Sequence, residues 1–382
     1  LIVTIIVLLI LAGVTIATLT GENGILTRAK ETKTQTEEAE DIEKIKLAVS
    51  EAQIGEIGYQ KLDVNNLHEA LDNQFEGRDV VVLDNGDGTF TISCLDTLKD
   101  YIISDNSIEE GIDWNEAMMN AIAPASQDEE RNKGVIAIGT DGKPVDMDLW
   151  EYTLLEDGTF GLNDMNSLLD INKNKAYLGG FDNGKIIGTI PQYISTDFGK
   201  TFQPVTNLFA TFCEISELIV MPTIPNTVST LTNAFIRCEN LGILTNISSK
   251  VSILGSTFKG CTSLEKSMEI PYGVTNIYGI FSGCTNLKNG PSNIPETVTN
   301  MQQSFLDCVN LSGDITVNAN VTGYPVVSIE LNDFYRCFYG ATLKENNVHL
   351  NVFLKKDIYQ LFNEQITKVY DSKKSNITLK EQ

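Results

Sequence analysis

Seven cysteines carry the most reactive side chains in this chain of 382 residues. A metal site needs two or more ligands close together, as in C-x-x-C, and no two cysteines have that spacing. From Cys238 to Cys308, cysteine instead follows cysteine by 23, 23 and 24 residues, while Cys94 stands alone. An odd total and an equivalent position in each interval favour reduced, buried thiols over the alternative, disulfides between intervals.

The other candidates for chemistry are few. His68 and His349 have no partner at the spacing of a catalytic motif, and the chain lacks G-x-S-x-G, H-E-x-x-H, P-loop and G-x-G-x-x-G sequences. Loop 84–88 has the Asn-Gly and Asp-Gly pairs of a tight hairpin, without the spaced carboxylates of a calcium loop. We therefore expect no enzyme activity, no catalytic residue, no cofactor and no bound metal.

Charge excludes one class of partner. The chain has 28 Lys and Arg against 51 Asp and Glu, which gives a formal net charge of −23. A surface with this excess of negative charge repels phosphate backbones, so we expect no nucleic-acid partner.

The cysteine spacing belongs to a longer internal repeat. Each copy has V-x-x-[LIM] and then, seven residues after the Val, F-x-x-C-x-x-L; four copies begin at Val228, Val251, Val274 and Val298. So short a unit cannot bury its own apolar side, and stacked units must share a continuous core. The repeat predicts a solenoid with weaker copies at 209–213 and 334–337. Its predicted ladder comprises Phe235, Cys238, Phe258, Cys261, Phe281, Cys284, Phe305, Cys308, Phe334 and Cys337.

With Ile-Pro pairs ahead of three copies, at Ile224, Ile270 and Ile294, the motif resembles the BspA-like leucine-rich repeats of bacterial surface proteins. The resemblance covers about residues 205–350. It implies adhesion to a host or bacterial surface, and hence a surface ligand as a partner. The spacing by itself indicates only a solenoid.

The first twenty residues contain no charged side chain. An apolar segment of about 20 residues is long enough to cross a bilayer as a helix. A charged helical pattern follows, in which Ile42, Ile45, Val49 and Ala52 recur at helical spacing. A secretory signal would have a basic leader and a small-residue cleavage motif. The run is therefore interpreted as a retained part of a processed protein.

This junction resembles the amino-terminal helix of type IV pilin-like proteins, especially those of Gram-positive, clostridia-like bacteria. The resemblance implies a membrane-held precursor whose freed helices form the core of an extracellular helical homopolymer. Leu1 and Ile5 depart from the Phe and Glu common at these positions, and a plain membrane anchor is the alternative. The filament core would be packed by Leu1, Ile2, Ile5, Ile6, Leu8, Leu9, Leu11, Ile16 and Leu19.

Between stem and solenoid the patterns predict two smaller units. The first has a helix at 66–75 and strands at 79–83, 89–95 and 101–103 in an antiparallel sheet against the stem, followed by an acidic, helix-prone connector at 106–133. From Val135 apolar and polar residues alternate again, which predicts a second β unit that leads into the solenoid.

The predicted fold class is α+β: a long hydrophobic and amphipathic amino-terminal helix, a small antiparallel pilin-like head, and a carboxyl-terminal leucine-rich repeat solenoid. The predicted segments are the helix at 1–53, the head and connector at 54–134, the β-rich unit at 135–204, the repeats at 205–350 and a cap at 351–382. These features favour an extracellular pilus-like filament subunit that displays its repeats for adhesion. The alternative is a membrane-anchored cell-surface adhesin that does not polymerise.

Overall fold

The computed structural model describes residues 25–55, 58–104, 107–122, 134–163, 179–321, 334–364 and 369–382. The predicted apolar segment 1–20, and with it every residue assigned to the filament core, lies outside these residues. Within the described part of the chain, no helix has both the length and the apolar character needed to cross a membrane.

The head is built on helix α1 (Ile25–Ala52), which packs against a second helix and a sheet. Helix α2 (Val64–Phe75) begins at Asp63, whose carboxylate accepts hydrogen bonds from the backbone N–H groups of Asn65 and Asn66. A ribbon of β1 (Ile54–Gly55) and β2 (Gly58–Tyr59) lies between the helices. The antiparallel sheet follows in chain order: β3 (Val80–Asp84), β4 (Phe90–Cys94), β5 (Lys99–Ile103) and β6 (Ile108–Asp113). The predicted head helix and its three strands are thus present.

Strand β6 corrects the prediction of a helix-prone connector at 106–133. Strand β6 takes the place of the expected helix at its start, α3 (Trp114–Ile122) follows, and residues 123–133 lie outside the described residues. The segment Ile-Glu-Glu-Gly-Ile-Asp has no clear alternation, and pairing with β5 determines its conformation. Gly111 permits this close pairing, because a Cβ there would lie 2.9 Å from Cβ of Asp100.

A five-stranded sheet follows, in the order β7-β12-β13-β9-β8. Its strands are β7 (Ile136–Gly139), β8 (Thr153–Leu154), β9 (Phe160–Gly161), β12 (Pro191–Ser195) and β13 (Gln203–Asn207), with β9 and β13 parallel. A separate ribbon is formed by β10 (Phe181–Asp182) and β11 (Lys185–Ile186). Trp150, Phe160 and Leu162 belong to the same hydrophobic core as the solenoid, so this unit closes the solenoid's amino-terminal end.

The solenoid stacks turns of 23 or 24 residues, here called rungs. Between residues 206 and 321, all of which are described, the rungs consist of turns and short parallel pairings without a helix. Toward the carboxyl end the pairings widen into a parallel sheet of β14 (Asn293–Ile294), β15 (Gly313–Val317), β16 (Leu350–Leu354) and β17 (Ile377–Glu381). Helix α4 (Lys356–Glu364) buries Ile358 and Phe362 in the solenoid core. The sheet and the core therefore continue through the predicted cap.

The head is docked on the side of the solenoid. At the edge of the head sheet, the backbone N–H of Val82 donates to Oγ of Ser249 (3.0 Å), and the N–H of Ser249 donates to the carbonyl of Val82 (2.8 Å). Asn226 donates to Oγ of Ser93 at 2.9 Å, and Lys250 pairs with Asp79. The solenoid thus covers the free edge of β3, which would otherwise expose unpaired backbone groups.

Candidate binding surface

A column of stacked phenylalanine rings runs through the solenoid. Neighbouring centroids lie 5.1 to 5.7 Å apart, and the largest interplanar angle is 27°. Every ring is fully buried, so each rung fixes the position of the next and the outer side chains are held on a rigid frame. The column comprises Phe212, Phe235, Phe258, Phe281, Phe305 and Phe338.

The last predicted copy has a different register. The N–H of Phe305 donates to the carbonyl of Cys337 at 2.7 Å, which places Phe338 rather than Phe334 on the column. Ala341 then takes the position that cysteine has in the regular rungs. Phe334 stacks instead on Phe362 of α4, with centroids 4.6 Å apart. The F-x-x-C string at 334–337 predicted the wrong register, because the register of this rung is set by its backbone hydrogen bonds to the preceding rung.

The first copy is corrected in the same way. Phe212, and not Phe209, stacks on Phe235. Cys213 packs with Ala210 and Ile236 in a small separate cluster, partly covered by Phe209. The weaker copies at both ends of the repeat therefore shift, while the first eight residues of the predicted ladder lie at equivalent positions in four consecutive rungs.

The rung cysteines act as hydrogen-bond donors as well as small apolar side chains. The Sγ atoms of Cys238, Cys261, Cys284 and Cys308 lie 2.9 to 3.2 Å from the carbonyl oxygen of the Phe one rung earlier. Sequence reasoning missed this bond, although a thiol at one fixed position per repeat is a signal for it. Burial raises the pKa of the Cys284 thiol to about 12. All seven cysteines, each in the described part of the chain, are buried thiols rather than disulfides.

The first outer column of the solenoid is a ladder of parallel bridges, here called the polar column. It joins Asn207, Thr230, Ile253, Asn276 and Asn300. A Ser or Thr precedes each of the last four residues, and its hydroxyl oxygen lies 3.2 to 3.4 Å from a backbone carbonyl oxygen of the preceding rung. This surface is therefore regular in spacing and presents short polar side chains.

Two apolar side chains interrupt the polar column. Ile253 is 38% exposed and Tyr278, which lies two residues beyond Asn276 on the next rung, is 36% exposed. Gly255 lies at the equivalent position on the rung between those of Thr232 and Tyr278, and a Cβ there would lie 3.8 Å from the Thr232 side chain, so this position of the column has no side chain. These two side chains are the candidate contacts of the polar column, since aromatic residues are enriched among those that dominate binding energy at interfaces.

A second outer column joins Val220 to Ile243, and Lys266 through Asn289 to Ser312. Ile219 and Ile243 are 44% and 56% exposed. Alignment of the repeats at their fixed period would have shown that the positions within each column are equivalent, but the sequence does not indicate which repeat positions face outward.

The docked head occupies a third side of the solenoid, and His68 lies there. Its ring is 5.5 Å from that of Tyr272, and burial lowers the pKa of His68. Nε2 of His349 lies 3.3 Å from the side-chain oxygens of Asn351 and Thr378, at the far end of the molecule. The structure does not bring the two histidines together. Within the described residues, no group of three or more His, Cys, Asp and Glu side chains could hold a metal ion.

Comparison with known proteins agrees with this geometry over the solenoid. Residues 206–339 match the BspA type leucine rich repeat region, in six copies. A leucine-rich repeat protein of T. pallidum is 16% identical, with 59% of this chain and 95% of that chain covered and a TM-score of 0.37. A leucine-rich repeat protein of Bacteroides ovatus is 18% identical, with 55% and 70% covered and a TM-score of 0.25. None of the curated proteins matches the chain in sequence. The family match places a BspA-type leucine-rich repeat region at residues 206–339.

Proposed function

We propose that this chain is a cell-surface binding protein whose polar column recognises a ligand on a host or bacterial surface. The observation that carries the proposal is the placement of Ile253 and Tyr278 on an open side of the solenoid, among regularly spaced hydroxyl and amide groups. Tyrosine supplies a large contact area with few rotatable bonds, so little conformational entropy is lost when a ligand binds.

The rigid interior supports this role. A stacked core keeps the outer positions one rung apart, so a ligand that spans several rungs meets a surface arranged in advance. The proposal assigns the chain to binding and not to catalysis.

The test is an adhesion assay with beads coated with the full chain. Beads are counted on bacterial and epithelial cell layers before and after the double change Ile253→Ser and Tyr278→Ser. Loss of both contacts should reduce bead binding at least tenfold, since buried interface aromatics commonly contribute more than about 2 kcal/mol.

Ile243→Ser is the matched control, because it removes an isoleucine that is even more exposed, 56% against 38% for Ile253, from the second column. If the control variant loses adhesion and the double variant retains it, the second column is the binding surface. Equal adhesion by all three proteins would contradict the proposal.

A pilus-like filament subunit is the second candidate, and one feature of α1 favours it. Side chains from Asp41 onward are buried at helical spacing, whereas Lys33, Thr36 and Glu40 are exposed. Asp41 is fully buried and accepts a hydrogen bond from Nη2 of Arg78 at 3.2 Å. The helix is thus fixed to the head at one end and extends from it at the other, as a filament stem would require.

Electron microscopy of material sheared from cells tests this candidate. Filaments that contain the chain would support it, and Val7→Asp should then abolish them, since a carboxylate in an apolar helix costs about 2.5 to 3.5 kcal/mol on insertion scales. If the protein is found on the cell surface but not in filaments, the binding protein that does not polymerise is the better interpretation.

A further inference from the structure

The segments that carry the polar column contain no charged residue. They are 206–209, 229–232, 252–255, 275–278 and 299–302, in a chain of which 21% is charged and whose net charge is −23. The second outer column differs, since Lys288 beside it forms an ion pair with Glu265 at 2.8 Å. A charged ligand would find no counter-charge within the polar column, so its composition favours a neutral ligand.

The asparagines of the polar column keep hydrogen-bond donors in reserve. Oδ1 of Asn207, Asn276 and Asn300 accepts the backbone N–H two residues further on, at 2.8, 2.9 and 3.1 Å. This bond holds each side chain, while within the described part of the chain none of the three Nδ2 atoms donates to another residue. Because an amide nitrogen has two N–H donors, these three rungs offer donors to a ligand.

The hydroxyl groups beside the asparagines are oriented by the solenoid. Oγ of Ser252 and Oγ1 of Thr275 donate to carbonyl oxygens of the preceding rung, at 3.4 and 3.2 Å. Their protons therefore point along the column, and their lone pairs are left to accept. A matching ligand has to supply both acceptors and donors, as the hydroxyl groups of a sugar do.

The column is straight, and its repeat has a defined length. From Phe212 to Phe281 the buried rings are 5°, 11° and 9° from parallel, with centroids 5.1, 5.6 and 5.7 Å apart. One pyranose residue of an extended, β-linked chain advances by a similar distance. An extended peptide advances by about 3.3 Å per residue, or about 6.6 Å between side chains on one face, and would lose register with the rungs.

We propose that the polar column binds a neutral, linear polysaccharide whose extended chain runs along the stack with one sugar residue on each rung. Asn276 and Asn300 donate to its oxygen atoms, and the hydroxyls of Ser252 and Thr275 accept from its hydroxyl groups. The exposed ring of Tyr278 packs on the C–H face of one sugar residue. This inference rests on the proposed function and names the class of its ligand.

Isothermal titration calorimetry on the full chain tests the proposal, with cello-oligosaccharides and chito-oligosaccharides of increasing length as probes. Affinity for at least one series should rise with each added residue up to about five residues, one for each rung of the column, and then level off. Maltohexaose, which is helical, and hyaluronan, which is charged, should bind at least about tenfold more weakly.

A paired substitution tests the donors. Asn276→Asp together with Asn300→Asp keeps the oxygen atoms that accept the backbone N–H groups and replaces both amide nitrogens by carboxylate oxygens. Binding should weaken about tenfold, the loss expected for two hydrogen bonds. Asn286→Asp together with Asn289→Asp makes the same charge change at exposed positions outside the column and should bind like the parent chain.

Four results would overturn the inference: no binding of any neutral oligosaccharide, affinity that does not depend on chain length, equal effects of the two paired substitutions, or equally tight binding of hyaluronan. The failure of the proposed function is distinguishable. If Ile253→Ser with Tyr278→Ser abolishes bead adhesion while no oligosaccharide binds, the adhesion proposal stands and the polysaccharide is wrong. Length-dependent binding with unchanged bead adhesion supports the polysaccharide and contradicts the adhesion proposal.

Discussion

At the residue scale, the ionisation of Asp100 bears on the stability of the folded chain. It is buried without a described cationic partner, and burial raises its pKa from 3.8 to about 6. The folded state therefore binds the proton more tightly than the unfolded state does. The resulting stabilisation is complete below pH 3.8 and is lost as the pH rises through about 6.

Asp100→Asn, which resembles the protonated side chain, should therefore be more stable than the parent chain at pH 8. The shift corresponds to about 2 to 3 kcal/mol in the free energy of unfolding, and the difference should vanish near pH 4. Urea unfolding at both pH values measures it. Glu116→Gln, an exposed control, should change little at either pH, and a pH-independent effect of Asp100→Asn would show that the carboxyl does not titrate as described.

The rung cysteines give a second prediction at this scale. Their thiols are buried, and burial raises the pKa of each of Cys261, Cys284 and Cys308, so thiolate is scarce at neutral pH. Iodoacetamide should react slowly with the folded chain and with all seven cysteines after denaturation, as measured by mass spectrometry. Cysteine-linked peptides in a non-reduced digest would contradict the described thiols.

At the scale of elements, the phenylalanine column and the cysteine bonds act together. Each of the four regular rungs contributes one ring and one thiol, and both contact the preceding rung. Phe281 lies in the middle of the column, with rings on both sides. Loss of the ring at this position would leave a cavity in the middle of the core, with stacked rungs on both sides of it.

Phe281→Ala should lower the free energy of unfolding by about 3 to 5 kcal/mol, through lost burial and the cavity that remains. Limited proteolysis should then cut first within the solenoid. Phe198→Ala is the control, since Phe198 is 54% exposed and its loss should matter far less. Equal destabilisation by the two changes would show that the column does not carry the core.

The docked head belongs to the scale of the whole molecule. Stacked rungs bury their apolar sides on each other and do not need a contact with the head. The structure instead joins β3 to the solenoid through Ser249 and Lys250. Damage to the solenoid can therefore reach the head.

Ser249→Ala tests this docking, because it leaves the buried N–H of Val82 without its acceptor. A stability loss of about 1 to 3 kcal/mol is expected, with faster amide exchange in β3 than in β5. Hydrogen-exchange mass spectrometry measures both strands. Ser252→Ala removes an outward hydroxyl of the solenoid instead and should leave β3 exchange unchanged. Unchanged exchange in the Ser249 variant would mean that the head is not held at this edge.

The sequence determined the solenoid and the head elements. A period of 23 or 24 residues with Phe and Cys at fixed places leaves stacking as the means of burying them, and the hairpin glycines at 86 and 88 fix the turn between β3 and β4. These signals are local or strictly periodic, so they can be read along the chain. They failed where periodicity ended, at Phe334 and Cys337.

Only the tertiary structure decided the terminal register, strand β6, the docking of the head and the cavity where the head, the five-stranded sheet and the solenoid meet. The contacts responsible join residues far apart in the chain, 167 positions for Val82 and Ser249 and 133 for Ser93 and Asn226. A hydrogen bond of this kind requires two surfaces to meet in one orientation, and neither partner has a local pattern that specifies the other. The position of Asp100 beside Trp114 and Gln192 arises in the same way, since three separately predicted units have to come together before the cavity exists.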